Sequence, residues 1–253
     1  MSKFRIPKST IPNTATSLNI LSGFLAIIFA SEGDFHLSAL FIFIATFFDL
    51  IDGLLARLTK TASMFGVELD SLADVVSFGV APSFLIYKAH FIDYGWLFTD
   101  YGYLGILISA LPLIFGALRL ARFNVQVEDI KIKQDFFGLP IPISAITIAS
   151  FVLFYHNGIS IVNPFNYIIL PAIILLSLLM VSNIRYNTLP KMKTLNLFSK
   201  ISIYLGALVL LVLVYLTDGE ALFYMIVFHI LFGLFRHIYF MIFNNSELKM
   251  ANK

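Results

Sequence analysis

Four aspartates carry the chemistry that this sequence can do. They stand in the stretch Asp49-Leu-Ile-Asp52-Gly53-Leu-Leu-Ala56-Arg57, followed after eight residues by Gly66-Val-Glu-Leu-Asp70-Ser-Leu-Ala-Asp74. Asp49 and Asp52 are three residues apart and share one face of a helix, and Asp70 and Asp74, four apart, share a face of the next. The connection between the two helices is short, so they are antiparallel neighbours and four carboxylates converge at one depth. An ionised carboxylate inside a membrane costs about 2.5–3.5 kcal/mol on insertion scales, and four together repel one another. Such a cluster persists only when cations compensate it. Oxygen ligation without cysteine or a nearby histidine suits a hard divalent cation, Mg²⁺ or Mn²⁺. Four carboxylates facing a polyanionic ligand suit two such ions. Gly53 and Ala56, each four residues after an aspartate, keep bulk away from the cluster and let a ligand approach the backbone, as does Gly66 at the mouth of the second helix. Arg57 lies one turn beyond Gly53 and can pair with a phosphate oxygen. A purely structural ion network between two helices is the plainer alternative. It leaves the combined spacing of four Asp, two Gly, Ala and Arg unexplained.

The elements that position these residues are membrane helices. Of 253 residues, 59% are hydrophobic and 13% charged, where a soluble domain carries about 25% charged residues. Mean hydropathy is +0.89. Eight apolar segments of helical length are predicted at roughly 15–31, 36–58, 67–88, 103–122, 139–156, 164–183, 200–217 and 220–243. They lack the strict alternation of a β-barrel. The fold class is therefore all-α, a polytopic membrane bundle, read as one domain over 1–253. Residues 1–14 are expected to form an interfacial segment, 15–160 the catalytic core and 161–253 the C-terminal helices. The first span follows Lys3, Arg5 and Lys8 but lacks a convincing cleavage site and precedes further spans, so it reads as a retained helix.

With the N-terminus in the cytoplasm, the outward loops hold Glu32, Asp34, Asp93, Asp100, Asp218 and Glu220, with Lys88 the only basic residue near them. The other sixteen of the 17 Lys and Arg fall on the inner side, Lys191, Lys193 and Lys200 among them. The positive-inside rule thus supports eight spans with both termini and the aspartates cytoplasmic. The basic loop reads as an orientation signal and a contact for anionic membrane lipids. A net charge of +2 is too small to imply a nucleic-acid partner. The absence of cysteine excludes disulfides and thiolate chemistry, and the five histidines show no metal-ligand spacing.

The pattern D-x2-D-G-x2-A-R-x8-G-x3-D-x3-D, filled here by Asp49, Asp52, Gly53, Ala56, Arg57, Gly66, Asp70 and Asp74, resembles the signature of the CDP-alcohol phosphotransferases. Pro12-Asn13-x2-Thr16 resembles the family's N-terminal entry to the active site. Asp70-Ser-Leu-Ala-Asp74-Val-Val-Ser77-Phe78-Gly79-Val80-Ala81-Pro82, Arg119-Leu-Ala-Arg122-Phe123-Asn124 and Phe137-Gly138-Leu139-Pro140-Ile141-Pro142 are similar to the phosphatidylserine synthase branch. The likeness spans about residues 12–145 and fades beyond.

The resemblance implies transfer of a phosphatidyl group from CDP-diacylglycerol to L-serine, giving phosphatidylserine and CMP. It implies Asp49, Asp52 and Asp70 as metal ligands, and Asp74 as general base in contact with the second ion. It implies a CDP site of Asn13, Thr16, Asp52, Gly53, Ala56, Arg57, Gly66 and Asp70, and a homodimer. The chemistry requires a neutralised diphosphate, a stabilised leaving group and a deprotonated hydroxyl. No enzyme nucleophile stands out, which favours direct in-line displacement. Serine's charged ends need partners, and Arg119, Arg122 and Asn124 lie near the depth of the aspartates. Arg119 or Arg122 could fork onto the serine carboxylate, and Asn124 could add a hydrogen bond. Glu68 and Ser71 are weaker candidates. Competing readings are another acceptor (glycerol 3-phosphate or inositol phosphate), a divalent-cation transporter and a non-catalytic scaffold. The last two leave Gly53, Ala56 and Arg57 or the carboxylates unexplained.

Overall fold

The computed structural model describes residues 9–61, 63–91, 102–128, 137–186 and 197–243. The expected N-terminal surface segment falls largely on residues 1–8, outside the described residues, as does the basic loop through Lys191 and Lys193. Eight continuous helices account for nearly all the rest. They are α1 (Thr10–Glu32), α2 (Phe35–Thr59), α3 (Met64–Phe91), α4 (Gly102–Glu128), α5 (Ile141–Tyr155), α6 (Phe165–Val181), α7 (Leu197–Leu216) and α8 (Glu220–Phe243). Only two isolated antiparallel bridges, Phe137–Arg185 and His156–Ile161, interrupt this pattern among the described residues. Helices α1 to α4 and α8 are each long and apolar enough to span a bilayer, and α5 and α6 are shorter apolar helices. The protein is a polytopic helical membrane protein.

Two compact units are present. The first comprises residues 1–133 and 140–181, hence α1 to α6; the second comprises 134–139 and 182–253, with α7 and α8. In the second unit the Gly138 amide donates to the Ile184 carbonyl at 2.9 Å, and Arg236 donates to the Arg185 carbonyl at 2.6 Å.

The site belongs to the first unit, and its turns explain how. Gly33 ends α1 in the left-handed conformation (φ 86°), and Asp34 caps α2 by accepting from the Leu37 amide at 3.0 Å. This two-residue connection makes α1 and α2 antiparallel. Lys60 ends α2 with φ 55°, and Ser63 opens α3 by accepting from the Gly66 amide at 3.1 Å. The chain thus reverses twice within a few residues, so α1 and α3 run parallel and the start of α1, the end of α2 and the start of α3 meet at one end of the bundle. Pro12 sits in the first turn of α1, where a missing N–H costs nothing.

Helix α3 widens to π-helical turns at Val75–Val80 and Tyr87–Phe91; such bulges in helices cluster at functional sites. The first lies just below Asp74. It packs closely on both sides. A Cβ added to Gly23 of α1 would fall 2.7 Å from the Ser77 Cα, and one added to Gly79 would fall 3.0 Å from Leu113 of α4. In α4, Pro112 disturbs the helical ladder, and the Leu113 amide donates to Ser83 Oγ of α3 at 3.2 Å.

Because backbone rather than a flexible tip faces Gly23, Gly23→Ala is expected to cost about 1–3 kcal/mol by overpacking. Gly206→Ala in α7, with no atom within 4 Å of the added carbon, is expected to be neutral or slightly stabilising. Thermal unfolding of the two variants in detergent checks the difference.

Candidate active site

The meeting of the three helix ends forms a cleft of about 120 Å³. Pro12, Asn13 and Thr16 line it from α1, Asp52, Gly53 and Ala56 from α2, and Ser63, Gly66, Val67 and Asp70 from α3 and its cap, with Thr61 in the connection. Seven of the eight residues expected to bind CDP are thus brought together. The eighth, Arg57, folds back along α2 so that its Nη2 would lie 4.0 Å from a Cβ placed on Gly53. A Cβ on Gly66 would lie 3.4 Å from Ser63 Oγ and 3.8 Å from Asn13 Oδ1. Small residues therefore keep the cleft open, with a guanidinium at its edge.

The aspartates divide. Asp49, Asp70 and Asp74 form a triad in which one carboxylate oxygen from each lies within 4.8 Å of the other two. Asp52 lies on the cleft side, beside the Thr16 side chain. Asp70 belongs to both groups and joins them. Asp52 and Asp74 are 5% and 8% exposed, yet Asp52 Oδ2 and Asp74 Oδ1 have no hydrogen-bond partner. Buried, unpaired carboxylate oxygens carry a large desolvation cost. An oxygen-only donor set with open lone pairs fits a hard divalent cation.

Helix α4 closes the other side. Arg119 lies within electrostatic reach of Asp74 and of Arg122, and its buried Nε has no hydrogen-bond partner. Arg122 donates from Nη1 to the Val181 carbonyl at 3.2 Å. Asn124 donates from Nδ2 to Ser71 Oγ at 3.0 Å, which ties α4 to the residue after Asp70. Of the three residues expected to contact serine, Arg119 is within electrostatic reach of Asp74.

Residues 9–180 match the family model described as CDP-alcohol phosphatidyltransferase. The chain belongs to that family. The matched region contains the whole cleft, the triad and the α4 arginines, and ends within α6. Over 245 residues the chain is 37% identical to a CDP-diacylglycerol–serine O-phosphatidyltransferase of Helicobacter pylori (strain J99), covering 95% of this chain and 98% of that relative. A Bacillus subtilis protein of the same name is 35% identical over 75% of this chain and 96% of its own length. An archaetidylserine synthase of Methanothermobacter thermautotrophicus is 39% identical over 145 residues, 56% of this chain and 58% of its own. The first two names specify serine, and the third a serine lipid.

Sequence reasoning missed Thr61, Ser63 and Val67 in this phosphatidyltransferase's cleft. A serine at the first turn of an apolar helix is a capping signal and could have flagged Ser63. Thr61 and Val67 carry no such signal. It also passed over Asn19, which is fully buried in α1.

Proposed function

We propose that this enzyme transfers the phosphatidyl group of CDP-diacylglycerol to the hydroxyl of L-serine, releasing CMP. The observation that carries this reading is the junction at Asp70, where the cleft edged by Arg57 meets the triad that contains Asp74, with Arg119 opposite. Donor diphosphate and acceptor hydroxyl then meet at one carboxylate cluster.

Asn13, Thr16, Gly53, Ala56 and Gly66 receive the cytidine and ribose side of the donor, and Arg57 pairs with a diphosphate oxygen. Asp49, Asp52, Asp70 and Asp74 would hold Mg²⁺ or Mn²⁺, two ions in our reading. When bound, such ions neutralise the diphosphate and stabilise charge on the departing CMP. The serine hydroxyl gives its proton to Asp74 as its oxygen bonds to the phosphorus of the phosphatidyl group. The bond from that phosphorus to the CMP oxygen breaks in line with the attack. Arg119 forks onto the serine carboxylate. Arg122 and Asn124, engaged with Val181 and Ser71, hold α4 in register and add to the serine pocket.

The names of the relatives, which specify serine, weigh against a phosphorylated acceptor. The archaetidylserine relative supports a second reading of the donor, with ether-linked isoprenoid chains in place of acyl chains. Serine remains the acceptor in both. The enzyme acts in the cytoplasmic membrane as a homodimer, with residues 1–253 serving one catalytic function and the site on the cytoplasmic side, where the basic residues concentrate.

Metal-dependent CMP release by purified protein tests the reading, with serine, glycerol 3-phosphate and inositol phosphate in parallel. Serine alone is expected to work. Arg119→Gln is expected to raise KM for serine about 10–100-fold, the size of a lost charged hydrogen bond, with KM for the CDP-lipid little changed. Robust turnover with a phosphorylated acceptor would overturn the serine assignment.

A further inference from the structure

Asn19 is a polar residue that the mechanism so far leaves unused. Its side chain is fully buried, and neither Oδ1 nor Nδ2 has a hydrogen-bond partner. Inside a membrane helix no bulk water reaches such a group, and an unmade pair of hydrogen bonds there is costly.

Its position is fixed by register. Asn19 lies on the α1 face that carries Thr16, a wall of the cleft, one turn before it, and Gly23 one turn after. Gly23 abuts Ser77, and the Ser77 hydroxyl donates to the Asn19 carbonyl at 2.9 Å. Since α1 and α3 run parallel, one turn back from Gly23 on α1 matches one turn back from Ser77 on α3. That places Asn19 opposite Ala73 and Asp74. Side chains lean toward the N-terminus of their helix, so both the Asn19 amide and the Asp74 carboxylate lean toward the cleft end. Asp74 Oδ1 is likewise buried and unpartnered. Two open polar groups thus lie at the same level of the α1–α3 packing, on the inner side of the triad.

Resting on the serine reading above, we infer that Asn19 is the ammonium-binding residue of the acceptor site. Its Oδ1 accepts from the α-ammonium of the amino acid bound beside Asp74. The neutral amide beside carboxylates suits a cation, and Arg119 on the opposite helix suits the carboxylate. A zwitterion bound between α1 and α4 then presents its hydroxyl to Asp74. This three-point arrangement discriminates serine from hydroxy acids without an ammonium and from amino alcohols without a carboxylate.

The test uses the full-length enzyme in detergent with Asn19→Leu, a substitution of similar volume that removes the orphaned amide and suits the apolar surroundings. The readouts are KM for serine, KM for CDP-diacylglycerol and the inhibition constant of 3-hydroxypropionate, which is serine without its ammonium. We expect KM for serine to rise about 10–100-fold with the other two constants unchanged. Equal changes for serine and 3-hydroxypropionate, unchanged constants for both, or a fall in kcat alone would overturn the inference. If Asn19→Leu lacks a cooperative thermal transition, Asn19→Ala answers the same question. Failure of the wild-type enzyme to release CMP with serine would instead strike the proposed function.

Discussion

Asp74→Asn is expected to lower kcat for serine-dependent CMP release by about 10²–10⁴-fold, the range of a lost general base. Asparagine keeps the shape and one oxygen but cannot take the proton. Asp74 suits the role because it is the most deeply buried member of the triad and lies within electrostatic reach of Arg119. KM for the CDP-lipid should move little, since Asp74 is absent from the cleft lining while Asp52 and Asp70 are part of it. Stopped-time CMP release at saturating donor separates the two effects. Activity within about threefold of wild type would remove Asp74 from the proton-transfer step.

The second large effect concerns Asp70, which is shared by the triad and the cleft. Asp70→Asn is expected to abolish detectable turnover and also to abolish metal-dependent stabilisation. A ligand that binds only the folded state at 100 times its Kd stabilises by about 2.7 kcal/mol. Saturating Mn²⁺ should therefore raise the thermal midpoint of the wild-type enzyme by several degrees and that of Asp70→Asn by little or nothing. With divalent ions removed by EDTA the order is expected to reverse. Like charges a few ångströms apart repel in a low-dielectric site, and the variant carries one carboxylate fewer. A variant as responsive to Mn²⁺ as wild type would show that Asp70 is not a ligand.

Much of this arrangement was legible in the sequence, for reasons that differ by residue. Long apolar runs separated by Gly33-Asp34 or by the polar residues around Lys60 can only be membrane helices with short reversals, so the spans and their order followed from hydropathy. The signature spacing located the cleft because helical periodicity places Asp52, Gly53 and Ala56 near one face. The same periodicity could not separate Asp52 from the triad. A three-residue step leaves two side chains about 60° apart around the helix, and only the packing of α1 decides which of them turns to Thr16. The bond of Arg122 was equally hidden, because it depends on the Val181 carbonyl at the end of α6. The π-helical turn below Asp74 and the close approach of Gly23 to Ser77 are properties of paired backbones. Asn19 went unread because a single amide in an apolar stretch looks tolerable until its lack of partners is seen.

In the proposed reaction the serine oxygen replaces CMP at the phosphorus beside Asp74. Isotopically labelled serine, CDP-diacylglycerol and Mn²⁺ would be incubated with wild-type enzyme and with Asp74→Asn, and the lipid product analysed by mass spectrometry. Labelled phosphatidylserine is expected in step with CMP from the wild type, and a loss of both in the variant. CMP release without label in lipid, or labelled lipid undiminished in Asp74→Asn, would contradict it.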